Sequence, residues 1–420
     1  MMIRTYKTKS VCVVDFGLFV ELAVSLTKYF GKVSYHFPWQ ASAFPRSNSK
    51  VVGKGMGLNI AESLWDIVAE TDCFVFPDVF LGDIQEELAA QGKLVFGSRK
   101  ADELELYRDQ AKKHFKKLGI PVGPYEVVKG LAALRQYLKE HKNQYVKCSV
   151  NRGDFETFAA PDYKFIEPKI DELEHSLGFK KYDQRFVVEA ALPDCVEIGY
   201  DGFTIDGQYP EQSLIGIEIK DKGYVGRMMP YDKMPKQVTE FNKRIAPTLK
   251  KYKCRNFFST ELRVNRQGRA YILDPCVRAG NPPCSTELEF YDNLGEIIWE
   301  GAHGRVVTPT SKYQWAAQIQ ISSDWLDVNR LTVQFPEHLR SQVKLLNAAK
   351  LQGQYYIIPQ GHKLKSVGAV VGAGNTMEEA IKQAKKVANE VKGHFIECNP
   401  GALDDAKLEW GKFKDFGITV

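Results

Sequence analysis

The first hundred residues alternate short apolar runs with amphipathic stretches. Apolar runs at residues 10–17, 33–37, 72–77 and 93–97 predict buried strands, and the helical patterns fall at 18–30 and 81–91. Strands that alternate with helices are typical of an open parallel sheet. We therefore predict such a sheet over residues 1–100.

The remaining chain changes pattern three times. A charged helical run at 101–118 leads into a small α/β unit with strands at 125–128, 144–148 and 185–189, a helix at 130–141 and an intervening polar segment. Strands at 196–205, 213–219 and 257–274 then predict a mostly antiparallel sheet with helices near 235–252 and 286–303. Strands are next predicted at 315–321, 355–359 and 366–372, and a helix follows at 376–391. Thr376 and Glu379 have the spacing of a capping box at its start.

These changes predict a mixed α/β protein of four units. At 420 residues the chain exceeds what one core normally supports. We place the units at residues 1–100, 101–190, 191–305 and 306–420. The first is a Rossmann-like domain, and the last is a small α/β domain.

Composition narrows the class of protein. The chain is 44% hydrophobic and 26% charged, and it has no apolar stretch of membrane-spanning length and no signal-peptide pattern. The eight cysteines lie apart without a CxxC pair, so we expect reduced thiols in a cytoplasmic protein. A net charge of +5 does not by itself predict nucleic-acid binding.

The most informative segment is a predicted hairpin. Apolar runs at 257–264 and 270–273 flank the turn 265–268, and each strand carries one acid, Glu261 or Asp274. Two facing carboxylates repel each other unless a cation lies between them, and their hard oxygens suit Mg²⁺ bound with a phosphate. Arg278 follows four residues later and offers a positive charge. The alternative is two unrelated surface acids.

Three further motifs accompany the hairpin. The helix containing Arg108 ends at the tripeptide Gly-Ile-Pro at 119–121, and Lys147 closes an apolar strand. The segment 185–198 reads as a strand, a Leu-Pro turn and a second strand. Taken in order with the hairpin, these motifs resemble those of the ATP-grasp ligases, and most closely phosphoribosylamine–glycine ligase.

The resemblance implies an ATP-grasp fold with ATP and Mg²⁺ (or Mn²⁺) as cofactors. It implies that Arg108, Lys147 and Lys220 meet the ATP phosphates, Lys220 with a catalytic role. It places adenine on the strand that includes Glu189, Ala191 and Leu192, and it implies that Glu197 holds the ribose. Glu261 and Asp274 are the implied metal ligands, and Arg278 is the implied catalytic cation.

Several positions depart from the family. Cys276 replaces a metal-binding asparagine, and a thiol is a poor ligand for a hard cation. Of the flexible glycine-rich loop only Gly153 remains, with Arg152 as a substitute charge. The segments 15–21, 223–230 and 280–283, which correspond to the family's substrate loops, also differ from them. We expect 223–230 to be a loop here. Positions that would contact ATP thus match the family better than positions that would contact the other substrates. This difference indicates a different acceptor substrate.

The expected function is an ATP-dependent ligase that joins a small carboxylate to an amine through an acyl phosphate. One substrate is expected to be an amino acid or a phosphorylated, nucleotide-like molecule, and the protein is expected to act as a homodimer without membrane or nucleic-acid partners. Two alternatives stay open. In the first, the chain is a nucleotide-binding protein whose catalysis has decayed. In the second, it is a partner-binding protein that keeps only the fold.

Overall fold

A computed structural model describes residues 4–38, 49–150, 157–327, 329–359 and 365–420. Its strands are β1 Tyr6–Val14, β2 Phe30–His36, β3 Asn59–Ile60, β4 Cys73–Val75, β5 Leu94–Phe96, β6 Tyr125–Lys129, β7 Gln144–Cys148, β8 Thr157–Ala160, β9 Arg185–Ala190, β10 Cys195–Ile205, β11 Gln212–Ile219, β12 Gly223–Pro230, β13 Arg255–Asn265, β14 Ala270–Cys276, β15 Trp315–Ser322, β16 Leu331–Val333, β17 Val343–Leu345, β18 Ala348–Leu351, β19 Gln354–Ile357, β20 Ser366–Gly374 and β21 Glu397–Cys398. Its helices are α1 Val20–Leu26, α2 Gly82–Ala90, α3 Glu103–Leu106, α4 Arg108–Lys117, α5 Leu131–Glu140, α6 Tyr163–Leu177, α7 Lys236–Lys251, α8 Cys284–Phe290, α9 Leu294–Ala302, α10 Met377–Glu390 and α11 Ala402–Lys412.

The N-terminal sheet confirms the prediction of an open parallel sheet. Its strand order is β3-β2-β1-β4-β5, and every pairing is parallel. The apolar runs that predicted strands are buried, as Val13 and Phe74 show. The order reverses direction between β1 and β4, so the carboxyl ends of these two strands border a crevice of the kind that binds ligands in open sheets.

The helical run at 101–118 is interrupted. Tyr107 has φ −103° and ψ 67°, which separates α3 from α4. Arg108 therefore opens a new helix, and its side chain lies on the same face as Lys112, one turn later. Both side chains are buried.

A four-stranded antiparallel sheet, β6-β9-β7-β8, follows, and α5 and α6 pack with it around a separate core. The segment between β7 and β9, predicted only as polar, contains β8 and α6. Buried residues at 163, 166, 170 and 173 give α6 an apolar face with helical spacing. Charged residues between them obscured that period.

The largest sheet has nine strands in the order β14-β13-β10-β11-β12-β15-β20-β17, with β21 also pairing with β15. The prediction of a loop at 223–230 was wrong, because this segment is β12 and pairs with β11 on one side and β15 on the other. Through that second pairing, the sheet continues across residue 305, where we had placed a unit boundary.

The C-terminal part adds the small sheet β16-β19-β18 and two helices. The predicted cap of α10 is confirmed, since Thr376 Oγ1 accepts a hydrogen bond from the Glu379 backbone N–H at 3.2 Å. Helix α11 was not predicted, and its Trp410 packs against Trp315. Among the helices of the described ranges, none is both long enough and apolar enough to cross a membrane.

Candidate active site

Glu261 and Asp274 are directly opposite each other on β13 and β14. The next pair in register is Leu262 with Ile272, so Leu273 is an extra residue and forms a bulge beside Asp274. Bulges often lie next to active sites, where they redirect a side chain. Residues directly opposite on an antiparallel pair share one sheet face, so the two carboxylates face the same space.

Two further acids approach this pair. Glu197 on β10 lies opposite Arg263, two residues from Glu261, and its Oε2 is 3.2 Å from the Arg263 guanidinium. Burial, followed by the charges of Glu197 and Asp274, raises the pKa of Glu261 to about 8. Burial and then Glu261 raise the pKa of Glu218 well above its ordinary value. Glu218 was not predicted, although its position two residues before Lys220 on an apolar strand was a usable signal.

Lys147 bridges the two sheets at this point. Its Nζ lies 2.6 Å from Asp274 Oδ2 and 3.4 Å from Glu189 Oε1, and it donates to the Leu273 carbonyl at 3.2 Å. Burial alone would lower the pKa of Lys147, but the carboxylates of Asp274 and Glu189 outweigh it and raise that pKa. Asp274 keeps a pKa below its usual range for the reciprocal reason: burial opposes ionisation, but Lys147 and Arg108 favour it. Its side chain is still 28% exposed, so a ligand can reach it.

Sequence reasoning missed a second buried lysine. Lys112 Nζ is 2.8 Å from Glu189 Oε1 and donates to the carbonyls of Ile272 and Leu273 at 3.2 and 2.9 Å. Its ammonium therefore makes an ion pair with β9 and two hydrogen bonds at the bulge of β14. Its spacing of four residues from Arg108 was the available signal.

The other two predicted phosphate-binding cations border the same space. Arg108 donates from Nη1 to the Cys148 carbonyl at 2.8 Å, and its Nε is 3.9 Å from Asp274 Oδ1. Lys220 is exposed just beyond β11, and its charge lowers the pKa of both Glu197 and Glu261, although burial of these acids dominates. The structure thus brings Arg108, Lys147 and Lys220 to the carboxylate pair.

Residues 191–194 connect β9 of the small sheet to β10 of the large sheet. The Ala191 N–H donates to the Asn143 carbonyl at 2.9 Å, so this donor is already used. Leu192 lies over Gly123, where an added Cβ would be 3.5 Å from its methyl carbons. The Glu189 side chain points to Lys112 and Lys147, so it organises the lysines in this structure.

Arg278 takes a different partner from the one we expected. Its Nε lies 2.6 Å from Glu105 Oε1 on α3 and 3.8 Å from Asp78 Oδ1, which follows β4. The cations that act most strongly on Glu261 are Lys147 and Lys220. Arg278 thus borders the crevice of the N-terminal sheet. Arg152 and Gly153, the predicted remnants of the glycine-rich loop, lie outside the described residues.

The carboxylate pair fits a cation that arrives with other ligands. Within the described ranges, no three histidine, cysteine, aspartate or glutamate side chains converge as a complete metal site. Mg²⁺ commonly takes one or two carboxylates and completes its octahedron with phosphate oxygens and water. A cation between Glu261 and Asp274 would also relieve the repulsion that raises the pKa of Glu261. Cys276 follows two residues later with a soft sulfur that suits Mg²⁺ poorly.

Searches with the sequence find no matching family model and no matching curated protein. Solved structures are similar over nearly the whole chain. Phosphoribosylamine–glycine ligase from Thermotoga maritima has a TM-score of 0.66 at 17% identity, covering 93% of this chain and 98% of the other. The biotin carboxylase domain of Hydrogenobacter thermophilus 2-oxoglutarate carboxylase, with MgADP, has a TM-score of 0.66 at 13% identity, covering 97% and 95%.

A third similar structure is N5-carboxyaminoimidazole synthetase from Staphylococcus aureus with ADP. Its TM-score is 0.61 at 11% identity, covering 93% of this chain and all of the other (100%). At these identities the similarity shows only that the folds are alike. The role of each side chain must be inferred from its own contacts in this structure.

Proposed function

Since the chain has the ATP-grasp fold, we propose that it is an ATP-dependent ligase that joins a carboxylate to an amine. The observation that carries this proposal is the Glu261–Asp274 pair with Lys147, Arg108 and Lys220 around it. A metal–triphosphate complex needs acids to hold the metal ion and cations to neutralise the phosphates. Two adjacent acids with three cations around them meet both needs. A hairpin that carried two unrelated surface acids would not need buried lysines behind it.

Different residues would bind the metal, the phosphates, the adenine and the ribose of the nucleotide complex. Glu261 and Asp274 would hold Mg²⁺ or Mn²⁺, which would supply positive charge to the ATP phosphates. Lys147, Arg108 and Lys220 neutralise the remaining phosphate charge as cations. The segment Glu189–Leu192 would receive the adenine, with Leu192 against the ring and Glu197 near the ribose.

Lys147 must then change partners. Its ammonium now lies on Asp274 Oδ2 at 2.6 Å, where it balances the carboxylate charge. A phosphate beside Asp274 offers the same ammonium a second anion. Lys112 keeps its ion pair with Glu189 and its two hydrogen bonds to the bulge, so the backbone beside Asp274 stays fixed.

The proposed chemistry proceeds in two steps. A substrate carboxylate attacks the γ-phosphate to give an acyl phosphate and ADP, and an amine then displaces phosphate to give the amide. Arg278 stabilises the developing charge, and its ion pair with Glu105 fixes its direction. The remaining task of the protein is to position both substrates and exclude water, because an exposed acyl phosphate hydrolyses.

The substrates differ from those of the ligase named above. The loops at 15–21 and 280–283 depart from that enzyme's substrate motifs. We keep an amino acid as the proposed identity of one substrate. We also propose a cytoplasmic homodimer, and the eight free cysteines support the reducing compartment.

The test is ADP release by the purified protein, screened against pairs of acids and amines with Mg²⁺ and with Mn²⁺. At least one pair should release ADP in the wild type and not in Glu261→Gln, which removes one metal ligand with little change in shape. Turnover by Glu261→Gln at the wild-type rate contradicts the proposal.

Cys276 favours a second candidate, a nucleotide-binding protein without catalysis. Such a protein would show a rise in melting temperature with Mg-ATP but no ADP release with any pair. A protein that keeps only the fold would show neither response.

A further inference from the structure

A second polar cluster lies on the same sheet face as the Glu261–Asp274 pair, one row further along. Asp201 on β10 is opposite Ser259, which is two residues from Glu261 on β13. Diagonal neighbours of this kind are about 7–8 Å apart. Asp201 accepts a hydrogen bond from the Tyr224 hydroxyl at 2.7 Å.

Glu287 on α8 faces this cluster. It is 1% exposed, and neither carboxylate oxygen has a hydrogen-bond partner among the described residues. The charged group that acts on it there is Asp201, a second acid. An unpaired buried carboxylate is costly, so the site needs either a proton or a cation.

Two more buried groups around Glu287 lack partners in the described part of the chain, the Tyr291 hydroxyl and the Gln318 side-chain nitrogen. After burial, the charge of Glu287 is the largest cause of the raised pKa of Tyr291, and the charge of Asp201 also contributes. The Gln318 carbonyl oxygen is 3.1 Å from Thr286 Oγ1, which places the amide beside Glu287. Orphaned polar atoms from α8, from the residue that follows it and from β15 thus lie near one another, which is the pattern that a missing small polar ligand would leave.

The Tyr224 ring crosses the sheet face beside this cluster. It lies over Gly216 and Gly226, where a Cβ would come within 2.1 and 2.7 Å of the tyrosine. These two positions need glycine because the ring occupies the side-chain space. The hydroxyl of Tyr224 can therefore reach Asp201 across the sheet.

Resting on the function proposed above, we infer that Asp201, Tyr224 and Glu287 form the subsite for the amino group of the amine substrate. The ligand class is a small primary amine without phosphate, because the described charges that act on Glu287 and Asp201 are acidic. An ammonium group supplies the cation that Glu287 lacks and the N–H donors that its two oxygens can accept. The subsite lies beside the phosphoryl-transfer site, where the attacking nitrogen must be.

The amine must lose a proton to attack. The nitrogen lone pair forms the C–N bond, the bond from the acyl carbon to the phosphate oxygen breaks, and phosphate leaves with that electron pair. The ammonium gives one proton to the Asp201 carboxylate before the attack, and the second proton lost from nitrogen goes to the departing phosphate, which leaves as hydrogen phosphate. Burial raises the pKa of Asp201 to about 6, although Tyr224 opposes the shift, so this acid is a better base than an exposed aspartate.

The test is the melting temperature of the full-length protein in four chloride salts at equal ionic strength: ammonium, methylammonium, potassium and tetramethylammonium. Ammonium and methylammonium should give a saturable rise of about 3 °C over tetramethylammonium, which has no N–H donor. Glu287→Gln and Asp201→Asn should each lose this rise. Glu296→Gln, which changes a partly exposed acid on the next helix, should keep it.

Three results overturn the inference. One is no rise with ammonium or methylammonium, and another is a rise that Glu287→Gln and Asp201→Asn both retain. The third is a rise with potassium equal to that with ammonium and absent with methylammonium, which indicates an inorganic cation site. The response to Mg-ATP, measured in parallel, depends on Glu261 and reports on the proposed function separately.

Discussion

Lys112 and Lys147 donate to the same backbone oxygen, the Leu273 carbonyl, at 2.9 and 3.2 Å. Two ammonium groups on one carbonyl require nearby negative charge, which Glu189 and Asp274 supply. Lys112 comes from the linker helix α4 and Lys147 from the small sheet, whereas Leu273 is the bulge of the large sheet. This contact holds the helix, the small sheet and the large sheet together beside Asp274.

Lys112→Met should lower the free energy of unfolding of the protein. The substitution leaves Glu189 with one cation and removes the lysine from the Ile272 carbonyl, whereas the Leu273 carbonyl keeps Lys147. Breaking a buried ion pair costs about 3 kcal/mol or more. Urea unfolding should therefore show a free energy of unfolding lower by roughly that amount. Lys113→Met, on the exposed side of the same helix, should stay within about 0.5 kcal/mol of wild type. Equal stability of the two variants would show that the bulge does not depend on Lys112.

Lys147→Met should act mainly on nucleotide binding and turnover. The ammonium is the cation closest to Asp274 and a proposed phosphate ligand. Removing one preorganised charge from such a site typically costs about 10²–10³ in rate. ADP release and the rise in melting temperature with Mg-ATP should both fall, and Lys142→Met, an exposed lysine paired with Asp162, serves as the control. Full turnover by Lys147→Met would remove this residue from the mechanism.

Stability should depend on pH through Glu261. Its pKa in the folded protein is about 8, above the ordinary 4.5, so the folded state binds more protons between these values. The stability that this proton contributes is present at low pH and is lost as pH rises through about 8. The melting temperature of wild type should therefore fall more from pH 6 to pH 8.5 than that of Glu261→Gln. Parallel pH curves for the two proteins would contradict this assignment.

Cys276→Asn should tighten the metal site. An asparagine at position 276 would supply a hard oxygen near Asp274, whereas the thiol does not. With ADP present, the Mn²⁺ concentration for half-saturation, measured by electron paramagnetic resonance, should fall several-fold relative to wild type. Cys284→Ala changes a buried thiol on α8 and should leave the Mn²⁺ titration unchanged. An unchanged titration for Cys276→Asn would place the metal away from position 276.

The sequence predicted the parallel sheet and the hairpin because their signals are local. Apolar runs bounded by turns marked β1, β4 and β13, and Glu261 faces Asp274 because the hairpin register is set by its own turn. The strand β12 was missed because Gly223 and Gly226 resembled a loop. These glycines are needed where backbone and the Tyr224 ring approach closely, which is a tertiary requirement.

The site was predictable only in part for a similar reason. Lys147 stood out as a charge at the end of an apolar strand, but Lys112 looked like any solvated helix lysine. Its burial depends on a bulge 160 residues later in the chain. Glu287 gave no signal either, because an acid in a helix is ordinary until the structure places it beside Asp201 and the unpaired Tyr291 hydroxyl.

The most direct test of the central claim is a crystal structure with ADP and Mn²⁺, using the anomalous signal to locate the metal. The account predicts a peak within bonding distance of Glu261 and Asp274 and of the nucleotide phosphates, with Lys147 moved toward the phosphates. Bound nucleotide with the metal elsewhere, and with Lys147 still on Asp274, would contradict it.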